Sequence, residues 1–547
     1  MFLTQCQKEK IESIVDKSNV FYPNDDFNNL KSQYNRSRRV FNRKFDFVPS
    51  AVVQVTSTEE VSGLVAYLQK EGIDLTVKSG GHDHEGECVA TGKVLIDFEC
   101  MGQVDVSENK SLVRIQPGAK FVSIKAELDK HNLGIPHGTC MTVAIAGYTM
   151  GGGWGPWTRR YGMGCERLIG ATIVLGDGTI EYLGQSATHH NKDQSAHNSQ
   201  LLSALRGGGG LSYGIVTEFF FEPFELPEIA QSFVIKRDTI PALENIKATT
   251  IIAAWEHLIA NDKNHNLIGT NLKVDAKAVA CTSEISEDAV LDWQMNGHFG
   301  GTVEERDALL AAWANIVGLT GGASSQLTAA NSLSELYKNV NVDTQVHAST
   351  SNAGGYVLNF DSWDRSTGIE LETDGPAPHK ITSRMPTPDW DEEGREALVK
   401  SLQSTLLFDQ NSDSTVSAYI TLGAISGPFY TNKLKAPLNE RVSCAFPYQD
   451  RPFTIQYQAW WDQPDKGKPV SKEQEIATRF YENRAQDWIE SCRSYDIPQT
   501  HGSFISFKDA SVETKDYFVD KYEELINTKL ECSKDDKCLL RSRKTII

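Results

Sequence analysis

Two nucleophilic side chains stand on glycine-lined turns in the first third of this chain. His82 is at the tip of SGGHDHEG (79–86), and Cys140 lies within HGTCMTVAIAGYTMGGGWGPWTRRYGMG (137–164). Imidazole nitrogen and thiolate can both add to an electron-poor ring or bind a soft metal. The glycines narrow that choice. Without a Cβ, a backbone can pass close to another flat or charged body and can adopt positive φ. Gly147, Gly151, Gly152, Gly153 and Gly155 therefore suggest main chain lying against a large ligand. A third cluster, ALRGGGGLSYGIVTEF (204–219), repeats the signal. Metal spacings of the CxxC type are absent, and the ten cysteines are too dispersed for a disulfide scaffold. Cys532 and Cys538 bracket a short loop and read as two surface thiols or a small bridge.

The elements that must carry these turns are legible. FDFVPSAVVQV reads as a strand. STEEVSGLVAYLQKEG reads as a helix opened by the Ser57…Glu60 capping-box spacing, with Val61, Leu64, Val65 and Leu68 on one face. IDLTVKSGG is a second strand running into the His82 turn, which makes a βαβ start without the GxGxxG fingerprint. LIGATIVLGDGTIEYLG reads as a hairpin about Gly176-Asp177-Gly178. VSIKAELDKHNLGI reads as a helix stopped at Gly134. From 226 the character changes to helix-like stretches (243–261, 304–316, 395–407) and strands of alternating polarity. In VSAYITL, Val416, Ala418, Ile420 and Leu422 share one face, with Ser417, Tyr419 and Thr421 on the other. In FTIQYQAWW, Thr454, Gln456, Gln458 and Trp460 share the polar-aromatic face.

The bulk numbers exclude some classes. With 547 residues the chain needs two or three domains. A net charge of −18 opposes a nucleic-acid partner. The one basic cluster, RSRR at 36–39, reads as solvated surface. No apolar run is long enough to span a bilayer, and no signal peptide is read, so the expected location is cytoplasmic and the expected state a monomer or homodimer.

The SGGH turn, the HGTC…GYTMGGGWG…RRYG stretch and the third glycine cluster together resemble the FAD-linked oxidases of the vanillyl-alcohol-oxidase superfamily, in particular its berberine-bridge-enzyme-like branch. The resemblance runs from about Phe41 to Phe224 and again from about Ala445 to the end. It implies an α+β fold, with a two-subdomain FAD-binding unit of the PCMH type at 1–225. A substrate domain at 226–470 would hold an antiparallel sheet backed by helices, and 471–547 would return to the FAD unit. It also implies FAD attached through both His82 and Cys140. Ser79, Gly80, Gly81, Asp83, Val143, Gly147, Tyr148, Gly152, Gly153, Gly162, Ile215 and Val216 would line the cofactor. Val143, three past the cysteine, is associated with oxygen access, although Ala144 stands where glycine is usual.

One departure bears on catalysis. Relatives carry YxNY near the C-terminus, whose second tyrosine can deprotonate substrate. Here the stretch is GSFISFKD, and Phe507 cannot take a proton. Tyr419 is the first substitute and Asp462 the second, with Gln456, Gln458, Trp460 and Phe507 lining the substrate pocket. The expected activity is hydride removal from an alcohol or amine carbon of a secondary metabolite or sugar, with O2 reduced to H2O2, the metabolite being favoured. A pericyclase, a dehydrogenase or an oligosaccharide oxidase on the same fold are the alternatives.

Overall fold

A computed structural model describes residues 3–23, 29, 32–192, 196–227, 231–261, 265–330, 376–407, 416–461 and 470–532. Asp462 and Cys538 lie outside them.

Three sheets organise the chain. The first is ordered Val20–Phe21, Ala51–Gln54, Val94–Asp97, Leu75–Lys78, and its last three strands run parallel. The helix Thr58–Lys70 makes the crossover. Ser57 accepts from the Glu60 amide, as the spacing predicts, but the Glu60 carboxylate bonds Thr56 rather than closing the box on Ser57. Val61, Leu64, Val65 and Leu68 are fully buried with Ala51, Val53 and Ile96, the period-3.6 stripe covering one sheet face.

The second sheet is antiparallel and ordered Val104–Val106, Val113–Ile115, Ile215–Phe221, Leu168–Val174, Ile180–Gly184. Its last two strands form the hairpin at 176–178, where Gly178 has φ +88°. The helix expected to run on to Gly134 ends at Asp129, and Leu133–Gly134 is a short strand.

The third sheet has six antiparallel strands: Gln231–Lys236, Trp293–Phe299, Leu267–Asp275, Val416–Ala424, Phe453–Trp461 and His379–Arg384. Ala418, Ile420, Leu422, Phe453, Ile455, Tyr457 and Ala459 pack with Trp255, Trp313, Leu398 and Trp488 from four helices. Those helices are Ala248–Ala260, Val303–Ile316, Glu392–Ser401 and Lys472–Ser494. Truncating one such aromatic to alanine costs about 3–5 kcal/mol. The opposite face is left polar. The helix Lys472–Ser494 thus serves the six-stranded sheet. The chain returns to the first half only later, where Tyr517, Phe518 and Leu525 join the core containing Phe219 and Ile173.

Arg159 fastens the second half of the chain to the first. Fully buried, it donates to the carbonyls of Leu267, Ile259 and Ser426. The RSRR cluster corrects the surface reading. Arg38 is buried and donates to Asn35, Asp46 and the Phe47 carbonyl, so only Arg36 of the four is exposed. Among the described residues no helix is long and apolar enough to cross a membrane, and no cluster of ligating side chains suits a metal ion.

Candidate active site

The two glycine turns meet. Nε2 of His82 lies 2.8 Å from Oγ1 of Thr142, two residues past Cys140. A Cβ on Gly80 would come within 2.8 Å of the Ala144 amide, so the approach depends on glycine at 80. Gly81, at φ +77°, then turns the chain so that His82 faces Phe41, whose ring stacks on it at 4.2 Å. His82 and Cys140 are both half-buried.

The roof comes from the six-stranded sheet. Tyr419 Oη donates to Gln458 Oε1 at 3.1 Å, and Trp460 Nε1 donates to the same oxygen at 3.1 Å. Gln458 Nε2 donates to Gln456 and to Thr421. Strand register places all five on one face, as the alternation predicts. Phe41 bridges wall and roof, since its ring is 6.1 Å from that of Trp460 and perpendicular to it. Burial first, then Asp275 and Cys140, push the Tyr419 phenol above its ordinary value and outweigh a hydrogen bond with Trp460. Lys273 Nζ sits 4.2 Å from the Tyr419 ring centroid.

A charge lattice clamps the His82 turn from behind. Lys508 pairs with Asp83 at 2.5 Å and Glu87 at 2.9 Å. Lys380 pairs with Glu85 and with Asp509, which also takes Arg493. Burial alone would raise the Asp83 carboxyl, but Lys508 outweighs it and holds it below the usual range. Sequence reading missed this role for Lys508, because its partners lie some 420 positions away. Phe507 itself packs edge-on against Phe504 at 5.0 Å, and Ser506 donates to the Gly151 carbonyl.

The remaining predicted residues divide. Gly147 is exposed, and a Cβ there would meet no protein atom within 4 Å. Tyr148 Oη has no hydrogen-bond partner among the described residues. Ser79 donates to the Pro117 carbonyl, and Val143 lies half-buried beside the second sheet's core. Ile215 and Val216 are core residues of two different clusters. At the other glycines the Cβ position faces protein. Gly151 faces Ser506, Gly152 faces Phe446 and Phe504, Gly153 faces Tyr148, Gly155 faces the His137 carbonyl, and Gly162 faces Phe429. In the third cluster the Gly208 and Gly209 amides already bond Ala204 and Met150, and Gly207 packs on Phe446. Protein therefore crowds the Cβ side of these positions. A separate cavity of about 550 Å³, lined among others by Arg160, Arg167, Lys433 and Phe429, shares none of the site residues.

A family model described as an FAD binding domain matches residues 49–184. Residues 49–184 are an FAD-binding domain. The relatives are FAD-linked oxidoreductases and carbohydrate oxidases, with berberine-bridge-enzyme-like proteins among them. Glucooligosaccharide oxidase of Sarocladium strictum is 34% identical over 198 residues, covering 36% of this chain and 37% of the relative. FAD-linked oxidoreductase dpmaF of Metarhizium anisopliae is 33% identical over 204 residues, covering 37% and 38%. The chain thus spans under two-fifths of the length of these curated relatives. The fold extends much further. The crystal structure of an Acremonium strictum glucooligosaccharide oxidase matches with TM-score 0.68 at 20% identity, covering 98% of both chains. Physcomitrella patens BBE-like 1 matches with TM-score 0.67 at 18% identity, covering 98% of this chain and 99% of that one. The α+β architecture is therefore that of these two structures along nearly the whole chain.

The site residues fit the flavin that this domain binds. An imidazole and a thiol lie on touching turns, Gly147 leaves a side-chain-sized opening, and the Tyr148 hydroxyl is unsatisfied.

Proposed function

We propose that this chain is an FAD-linked oxidase that removes a hydride from an alcohol carbon of a hydroxylated ring compound, with O2 as final acceptor. The contact between the His82 and Cys140 turns beneath the Tyr419–Gln458–Trp460 row carries the reading. His82 and Cys140 would hold the flavin covalently, as the name of a structural neighbour with 6-S-cysteinyl, 8α-N1-histidyl FAD indicates for that protein. FAD, when bound, accepts two electrons as hydride and passes them to O2, giving H2O2.

The protein's own residues do the rest. Tyr419, Gln456 and Gln458 present hydroxyl and amide groups in one hydrogen-bonded row, and Trp460 adds an indole face. A row of matched donors and acceptors recognises several hydroxyls at once, because a substrate lacking them leaves buried polar groups unpaired. Sugar rings suit such a row better than an apolar polycycle, and the carbohydrate oxidases among the relatives support that choice over the secondary metabolite favoured from sequence. Burial keeps Tyr419 protonated, so its O–H holds the Gln458 side chain in place while its oxygen can accept from a substrate hydroxyl. Residues 1–225 would then act as cofactor unit and 226–470 with the helix Lys472–Ser494 as substrate unit, and the segment carrying Tyr517, Phe518 and Leu525 would close back on the cofactor unit.

The test is a peroxide-coupled screen of oligosaccharides, phenols and polycyclic alcohols. Peroxide formation with saccharides supports the reading. Turnover of any of the panel without oxygen uptake contradicts it.

A further inference from the structure

An alcohol that loses hydride must also lose its hydroxyl proton. Phe507 has no acceptor atom, and the Tyr419 O–H is engaged as a donor to Gln458. A pair of histidines at the seam between the His82 turn and the roof has the missing property. His84, two residues past His82, places Nδ1 2.9 Å from Nε2 of His379, and Nδ1 of His379 lies 2.9 Å from the Ala377 carbonyl oxygen. A carbonyl only accepts, so Nδ1 of His379 carries hydrogen and its Nε2 carries a lone pair. Nδ1 of His84 must then donate, which leaves Nε2 of His84 as an acceptor. That nitrogen makes no hydrogen bond among the described residues.

The pair is built in. Asn42 donates to the carbonyls of both His84 and His379 and accepts from the His379 amide. Register sets His379 opposite Trp460 on the polar face, with ring centroids 4.1 Å apart. Phe41, stacked on His82, lies 5.8 Å from the His379 ring.

We propose that Nε2 of His84 accepts the substrate's hydroxyl proton, and that His379 is a positioning residue that fixes the tautomer and shares the resulting charge. This rests on the alcohol-oxidation reading above. The substrate O–H bond breaks toward His84, the oxygen electron pair closes the carbonyl, and the C–H electron pair leaves as hydride to the flavin. The charges facing the pair are Asp83 and His82 on its own turn, Lys508 from the C-terminal segment and Lys380 on the strand of His379. Burial, with the cations, lowers His84 to about 4 against the pull of Asp83. The lone pair is therefore available across neutral pH, and the proton, once taken, passes readily to water.

Three measurements on the full-length holoprotein test this. Nitrogen-15 spectra of histidine-labelled protein at pH 6 should show neutral His84 and His379, each protonated at Nδ1. His84 protonated at Nε2 overturns the proposal whether or not any substrate is known. Anaerobic flavin reduction should be flat from about pH 5.5 to 9, and a rate still rising above pH 9 would point to a phenol instead. His84→Gln should slow reduction by about 10²-fold while flavin stays bound. His379→Gln, which can still accept from His84, should keep most of the rate that His379→Leu loses. His84→Gln at the unmutated rate removes the assignment. Absence of bleaching by every compound in the unmutated protein refutes the oxidation reading and leaves the tautomer result standing.

Discussion

Nε2 of His82 and Oγ1 of Thr142 lie 2.8 Å apart, so the turn at 79–86 and the segment carrying Cys140 form one wall. A flavin held by both residues would be fixed at two points on that wall. Acid-precipitated protein should therefore keep its yellow colour. His82→Ala combined with Cys140→Ala should release all of it to the supernatant. Colour that washes out of the unmutated protein would remove the attachment assignment.

Lys508 pairs with both Asp83 and Glu87. Burial by itself would lower Lys508, and the two carboxylates outweigh that and raise it. Lys508→Met would leave two carboxylates facing each other behind the His82 turn. Breaking a buried pair in this way costs about 3–5 kcal/mol. The urea midpoint should fall accordingly, and an unchanged midpoint would mean that the lattice contributes nothing to stability.

Tyr419→Phe deletes the donor to Gln458 and with it the hydroxyl oxygen that would accept from substrate. A neutral hydrogen bond of this kind contributes about 1 kcal/mol. KM should rise about fivefold, with little change in the limiting rate of flavin reduction. A tenfold or greater fall in that rate would instead make Tyr419 the proton acceptor, the role given to it from the strand pattern alone.

Acid should destabilise the fold early. Burial lowers His84, His137 and His298 to about 4 from 6.5. Between those values the unfolded chain binds protons that the folded chain refuses, so stability is full above pH 6.5 and is lost as pH falls toward 4. Asp83 and Asp509 are held below 3.8 and add their losses at still lower pH. Tm measured against pH should begin to drop near 6.5. A plateau down to pH 4 would show that these imidazoles protonate inside the folded protein.

Much of the frame was readable because it is local. The helix at 58–70, the hairpin at 176–178 and the faces of Val416–Ala424 and Phe453–Trp461 follow from capping residues, turn residues and a period of two. His82 and Cys140 stood out through their glycine context. That same context does not say which body faces each glycine. Gly152 admits the rings of Phe446 and Phe504, and Gly207 admits Phe446, yet each glycine looks identical in sequence whether a ligand or a phenylalanine approaches it. The His84–His379 pair and the Lys508 clamp join residues about 300 and 420 positions apart. No local pattern announces such contacts. Arg38 reads as solvated for the converse reason, since its partner Asp46 and the Phe47 carbonyl give no signal of burial.

Anaerobic mixing of the holoprotein with an oligosaccharide that yields peroxide in air is the most direct test of flavin-mediated oxidation. The oxidised flavin band should bleach fully, and readmitted oxygen should restore it with one equivalent of H2O2. Product formed while the band stays unchanged would contradict an oxidase and leave the flavin a structural element.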